Sequence, residues 1–172
     1  MEVKIIDDFL DQSTFENLES LIMGNEFPWY FNDAVVLKDE EGEEFQLIHI
    51  FYKDMSEGYQ VVHSSSFEFL SPIVRKLKSK VLLRVKANLL TRTPDHVVHA
   101  LHTDISEMAE YEHFYTSIFY MNTNNGFTKF AEGTTINSIA NRMIIFPGSM
   151  RHQGTTCTDQ QRRVVINFNF FI

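Results

Sequence analysis

Apolar residues Phe15, Leu18, Leu21 and Ile22 recur at helical spacing behind Ser13-Thr14-Phe15-Glu16, which has the form of a capping box. Gly24 then supplies a C-terminal stop. A second helical pattern over 66–80 places Leu70, Ile73, Val74 and Leu77 on one face. Ser71-Pro72 marks a restart inside it, because proline suits the first helical position. Between these patterns, Phe45-Gln46-Leu47-Ile48-His49-Ile50-Phe51 reads as a strand.

From Val81 onward the period shortens. β-Branched and aromatic runs at 81–91, 97–101, 114–121, 127–131, 134–139, 142–147, 151–154 and 163–171 alternate with turn residues such as Asn124-Asn125-Gly126, Glu132-Gly133 and Pro147-Gly148. About eight short strands without crossover helices predict an antiparallel sandwich or jelly roll. The early helices are expected to pack on one outer face of it. No linker, repeat or low-complexity tract interrupts the chain, so 1–172 is expected to be one domain, with a supporting region at 1–80 and a β core at 81–172.

Composition narrows the chemistry. The chain has 172 residues, 44% of them hydrophobic, enough to bury a core without staples. Cys157 is the single cysteine, which excludes an internal disulfide, a cysteine-based zinc site and a CxxC redox motif. Any metal must therefore be held by histidine and carboxylate. The net charge of −8 argues against broad electrostatic binding of nucleic acid. The basic cluster Arg75, Lys76, Lys78, Lys80 reads as the solvated face of a helix. No apolar run approaches the roughly 18 residues needed to span a membrane. The opening residues lack the basic flank and apolar stretch of a signal peptide, so the expected compartment is the cytoplasm, or a host's cytoplasm if the source is viral.

Three segments carry the candidate chemistry. In Leu101-His102-Thr103-Asp104, two side chains a strand-period apart can reach one ion. Ile144-Ile145-Phe146-Pro147-Gly148 leads through a turn to His152 at the start of another strand. Arg162-Arg163 opens the last strand, and a guanidinium pointed into a β-barrel needs a bidentate anion there. Two histidines and one carboxylate make the facial triad of non-haem Fe(II) oxygenases.

At this point the chain resembles the 2-oxoglutarate/Fe(II)-dependent dioxygenase superfamily, most closely its prolyl-hydroxylase-like branch. The likeness rests on His102-x-Asp104, Phe146-Pro147-Gly148 leading to His152, and Arg163. Tyr120-Met121-Asn122, Gly126-Phe127-Thr128-Lys129-Phe130 and the opening Ile5-Ile6-Asp7-Asp8-Phe9-Leu10 extend it over nearly the whole chain. The resemblance implies a double-stranded β-helix with iron at its open mouth. It implies Fe(II), 2-oxoglutarate as co-substrate and O2, with ascorbate as an optional addition. The implied reaction is hydroxylation of a peptide or protein side chain or a small molecule, releasing succinate and CO2.

Carried over by position, His102, Asp104 and His152 resemble the iron ligands, and Arg163 the residue pairing with the distal carboxylate of 2-oxoglutarate, with Arg162 as its rival. Tyr120 is similar to a tyrosine donating to that carboxylate, and Thr116 and Asn88 are weaker candidates for co-substrate hydrogen bonds. Asn125-Gly126 stands where the family often has two glycines, and Asn125 is expected to accept a left-handed turn.

The acidic loop 103–113 and residues 30–60 lie outside the shared motifs, so they are expected to shape substrate access. On a strand, His99 would face away from His102. His49, His63 and His113 are expected to be surface or satisfied core residues, and Cys157 structural. The competing reading is a cupin-like jelly roll that binds metal or a small carboxylate without oxygenase activity.

Overall fold

Helix α1 (Gln12–Ile22) begins two residues earlier than the Ser13 capping box implies. Asp11 is the cap: its carboxylate accepts from the Thr14 amide at 3.0 Å, and that bond holds its pKa down to about 2. Ser13 only donates to the same carboxylate. Met23, not Gly24, takes the C-cap position. In this computed structural model, residues 2–35, 44–55 and 59–172 are described.

The remaining elements follow in chain order. Strand β1 (Lys4–Ile6) precedes α1; β2 (Tyr30–Asn32), β3 (Gln46–Met55) and β4 (Tyr59–Val62) follow it. The second helical pattern divides at Ser71-Pro72 as expected, into a 3-10 segment (Ser65–Leu70) and helix α2 (Ser71–Leu77). Lys78 ends α2 in a left-handed conformation, φ 53°, short of the expected residue 80. Then come β5 (Val81–Thr91), β6 (Phe114–Tyr120), β7 (Phe127–Phe130), β8 (Thr135–Asn137), β9 (Met143–Pro147), β10 (His152–Gly154) and β11 (Arg162–Phe171).

Two antiparallel sheets result. The larger has the order β1-β9-β6-β11-β5-β3-β2, with β4 on the end of β3; the smaller is β10-β7-β8. Mostly antiparallel strands in two facing sheets, with few helices, make a double-stranded β-helix.

Strand β11 explains how the layers form. It pairs with β5 on one side and β6 on the other, so it is buried on both faces. Its even residues Val164, Ile166, Phe168 and Phe170 join Phe15, Leu18, Ile22 and Ile73 in the core between the large sheet and the helices. Burying each such side chain is worth about 1.5–3 kcal/mol. Its odd residues Arg163, Val165, Asn167 and Asn169 point the other way, between the sheets. There Val165, with Ile118, Tyr120, Phe130, Ile144 and Phe146, builds a second, smaller apolar cluster.

The strand expected over 97–101 is reduced to isolated bridges, Val98 with Thr155 and His102 with His152. Four steps of chain on one side face three on the other. The extra residue breaks the alternation of side chains, as a bulge does. At the far end of β9, Gly148 is obligatory, because a Cβ there would lie 2.1 Å from Cδ1 of Phe114.

Candidate metal centre and anion pocket

His102 and His152 are brought together by their own backbones. Each amide donates to the other's carbonyl at 2.9 Å. The two rings lie 4.7 Å apart between centroids. The His152 ring is pinned edge-on against Phe146, 5.0 Å away, while His102 forms the lip of the pocket.

In both rings Nδ1 faces a backbone carbonyl: Ala100 at 3.1 Å from His102, and Met150 at 3.2 Å from His152. A carbonyl can only accept, so Nδ1 carries the hydrogen and Nε2 is left to face the pocket. That tautomer is the one a metal ligand needs.

Asp104 completes the cluster from the bend after His102. Its two oxygens have different tasks. Oδ2 accepts from Nδ2 of Asn169 at 2.9 Å and of Asn167 at 3.1 Å, and faces the Arg84 guanidinium at 3.4 Å. Oδ1 lies 3.6 Å from both histidine Nε2 atoms. Burial works to raise the Asp104 carboxyl, and the Arg84 guanidinium beside it works to keep it ionised.

These donors fit a metal. The ligand atoms of His102, Asp104 and His152 all lie within 4.8 Å of one another, the one such group found among the described residues. At 3.6 Å the Nε2 and Oδ1 atoms are too far apart for hydrogen bonds. Three electron-pair donors converging on one point call for a cation between them, and ligands about 2.1 Å from a shared ion stand roughly 3.0–3.4 Å apart, so these atoms need to close by less than an ångström.

Arg163 is buried and lines the same pocket, further along β11. Its Nε donates to Ser138 Oγ at 2.9 Å and its Nη2 to Thr128 Oγ1 at 3.1 Å. Both partners are neutral, and no carboxylate pairs with this charge among the described residues. Burial accordingly pulls the guanidinium below its ordinary value, with Tyr120 and Cys157 opposing. Gly126 makes room for it: a Cβ there would lie 2.7 Å from Arg163 Cδ.

Arg162, one residue earlier, points to the other side of β11 and donates to the Met23 carbonyl at the end of α1. Alternation along the strand thus puts Arg163, not Arg162, in the pocket.

The other candidates separate. Asn88 lines the pocket. Tyr120 does not; its hydroxyl donates to Thr128 Oγ1 at 2.9 Å, and its ring packs 5.7 Å from the Arg163 guanidinium. Thr116 accepts from Asn169 at 3.1 Å and so belongs to the Asp104 end.

His99 corrects the strand argument. The irregular pairing turns it into the pocket beside His102, where Glu44 faces its Nδ1 at 2.6 Å and its buried Nε2 has no partner. Asn125 is also not left-handed; it is held by Asp159 and Thr158 instead. His49 is a core residue, buried, with Nδ1 against the Pro28 carbonyl. Cys157 is buried, and burial pushes its thiol up, in keeping with a structural role.

The sequence reading missed Asn167, Asn169, Thr128 and Ser138. A signal existed for the asparagines, because both share odd parity with Arg163 on β11. Thr128 accepts from Tyr120 and Arg163 together, which leaves its own hydrogen free to donate.

No protein-family model matches the chain, and no curated protein does either. Solved structures do match. A 2OG-Fe(II) oxygenase family oxidoreductase from Burkholderia pseudomallei superposes with TM-score 0.70 at 12% identity, covering 98% of this chain and 85% of that one. The viral collagen prolyl hydroxylase of Paramecium Bursaria Chlorella virus-1, as its 2OG complex, gives TM-score 0.61 at 14% identity over 99% and 96%. The non-haem alpha-ketoglutarate-dependent epimerase SnoN from nogalamycin biosynthesis gives TM-score 0.66 at 10% identity over 98% and 76%. At these identities the likeness is one of fold: this chain has the double-stranded β-helix of the 2OG-Fe(II) oxygenases, prolyl hydroxylases among them.

Proposed function

We propose that this protein is an Fe(II)- and 2-oxoglutarate-dependent dioxygenase that hydroxylates a peptide or protein side chain or a small molecule. One observation supports this above the rest. A single pocket holds a His-Asp-His cluster and, further along β11, a buried guanidinium without a carboxylate partner among the described residues.

Bound Fe(II) and 2-oxoglutarate would supply oxidative decarboxylation, to succinate and CO2, coupled to hydroxylation of a C–H bond by O2. The protein's part is to position the reactants. His102 Nε2, His152 Nε2 and Asp104 Oδ1 would hold the metal and leave its remaining positions open. Asn169 and Asn167 hold Oδ2, with Asn167 also reaching Oδ1 at 3.4 Å, and this fixes the carboxylate with Oδ1 toward the two histidine nitrogens. Arg163 receives the distal carboxylate of the co-substrate, and Thr128 donates its remaining hydrogen to it. Tyr120 acts through Thr128 as a positioning residue. Leu90, Ile118 and Val165 give that end of the pocket apolar walls, where a charge pair is little screened by water. Hydroxylation is our choice among outcomes; the similar fold of SnoN serves an epimerase.

An anaerobic titration tests this reading. Fe(II) and 2-oxoglutarate together should give a metal-to-ligand charge-transfer band in the wild type and none in His152→Ala. Metal binding without that band would instead favour a metal-binding jelly roll that lacks oxygenase activity.

A further inference from the structure

Lys86 has no task in the reading above. It stands on β5 in the same inward row as Arg84 and Asn88, and it lines the pocket. In register it faces Asn167 of β11, the residue that holds Asp104. It is therefore at the level of the metal cluster. Arg163 pairs with Leu90, four residues further along, which is about 13 Å of strand.

The neighbouring cation is already committed. Arg84 donates Nε to Asn169 Oδ1 at 2.9 Å and Nη2 to the Asp104 carbonyl at 3.2 Å, beside the Asp104 carboxylate. The Lys86 ammonium has no hydrogen-bond or ion-pair partner among the described residues. Burial pushes it down to about 8, with Arg84 adding to the effect and Asp104 opposing it. Across the ladder, Asn167 Oδ1 is buried and also lacks a partner, since its amide nitrogen donates to Asp104.

A cation and an acceptor without partners among the described residues thus belong to two pocket-lining residues that are paired across the ladder at the level of the metal cluster. The distal carboxylate of 2-oxoglutarate is assigned to Arg163 at the far end, so it does not answer Lys86. The geometry points to a second anion subsite: the substrate to be oxidised carries a carboxylate, held by Lys86, with an adjacent N–H or O–H donor received by Asn167 Oδ1. The chemistry is that of an α-amino or α-hydroxy acid. This inference rests on the oxygenase reading, which places 2-oxoglutarate at Arg163 and gives the second ligand its fate.

The test measures binding to protein loaded with Zn(II) and 2-oxoglutarate, a complex that does not turn over because zinc has no redox chemistry. L-Amino acids, the matching α-hydroxy acids and the corresponding primary amides are compared by ligand-observed NMR and calorimetry. Peptides blocked at both ends and carrying an internal Asp or Glu form a separate arm. At least one free acid should bind, its amide at least about tenfold more weakly. Lys86→Met should lose that preference and Lys86→Arg keep it, with both variants binding 2-oxoglutarate as the wild type does.

Preference for the blocked Asp or Glu peptides over the free acids would keep the carboxylate and overturn the α-substituted small acid. Equal binding of acids and amides, or no binding by any acid, overturns the proposal altogether. Loss of 2-oxoglutarate affinity in Lys86→Met would reassign Lys86 to the co-substrate. A wild type that binds no 2-oxoglutarate defeats the oxygenase reading instead, and the Lys86 comparison is then scored on protein loaded with Zn(II) alone.

Discussion

Asp104 and Asn169 stand 65 residues apart in the chain and meet at 2.9 Å, amide nitrogen to carboxylate oxygen. Strand β11 thereby fixes the orientation of a carboxylate that belongs to a bend on the other side of the pocket. Asn169→Ala should loosen the Asp104 carboxylate, leaving Asn167 and Arg84 to hold it, and weaken metal affinity about 10- to 100-fold, as loss of an outer hydrogen bond typically does. A Co(II) or Fe(II) titration checks this. Unchanged affinity in a folded variant would show that Asn169 does not act through the metal.

The two arginines at the start of β11 should behave oppositely. If Arg163 is the partner proposed for the co-substrate carboxylate, Arg163→Ala should cost about 2–5 kcal/mol, or roughly 30-fold or more in 2-oxoglutarate affinity. Arg162→Ala cuts only a contact to the end of α1, so affinity should stay near wild type while melting temperature falls slightly. The reverse ranking in a calorimetric titration would place the anion on the wrong side of the strand.

Gly126→Ala should harm the same site without touching a charge. The added methyl would press on Arg163 Cδ at 2.7 Å, on Asn124 Oδ1 and on the Thr156 carbonyl. Overpacking of this kind costs about 1–3 kcal/mol of stability. A lower melting temperature together with weaker 2-oxoglutarate binding is the expected pair of results.

Much of this was legible in the sequence, and the failures have physical causes. Strand β11 could be read because alternation and β-branched residues agree over its length. The cluster could be read because His102-x-Asp104 and the Pro147-Gly148 turn are local. His99 could not be placed, since the extra residue opposite β10 is a property of pairing between segments fifty or more residues apart. Asn167 and Asn169 carried a parity signal, but their partner is a carboxylate delivered by a different part of the chain. The Asp11 cap was obscured by Ser13, an equally good capping residue two positions on. The short edge strands β1 and β2 left almost no periodicity to detect.

Metal should stabilise the fold. An ion that binds only the native state at 100 times its dissociation constant adds about 2.7 kcal/mol. The melting temperature should rise on adding Fe(II) anaerobically, or Co(II), and fall back with a chelator. His152→Ala should lose this response while keeping the chelator-treated melting point within a few degrees.

The central claim is that His102, Asp104, His152 and Arg163 form one working site. The most direct measurement is succinate formed from 2-oxoglutarate with Fe(II) and O2, in wild type and in His102→Ala, Asp104→Ala and Arg163→Ala. The account predicts succinate in the wild type, none above background in the first two variants, and recovery in the third only at high 2-oxoglutarate. Succinate formation that survives His102→Ala or Asp104→Ala would contradict it.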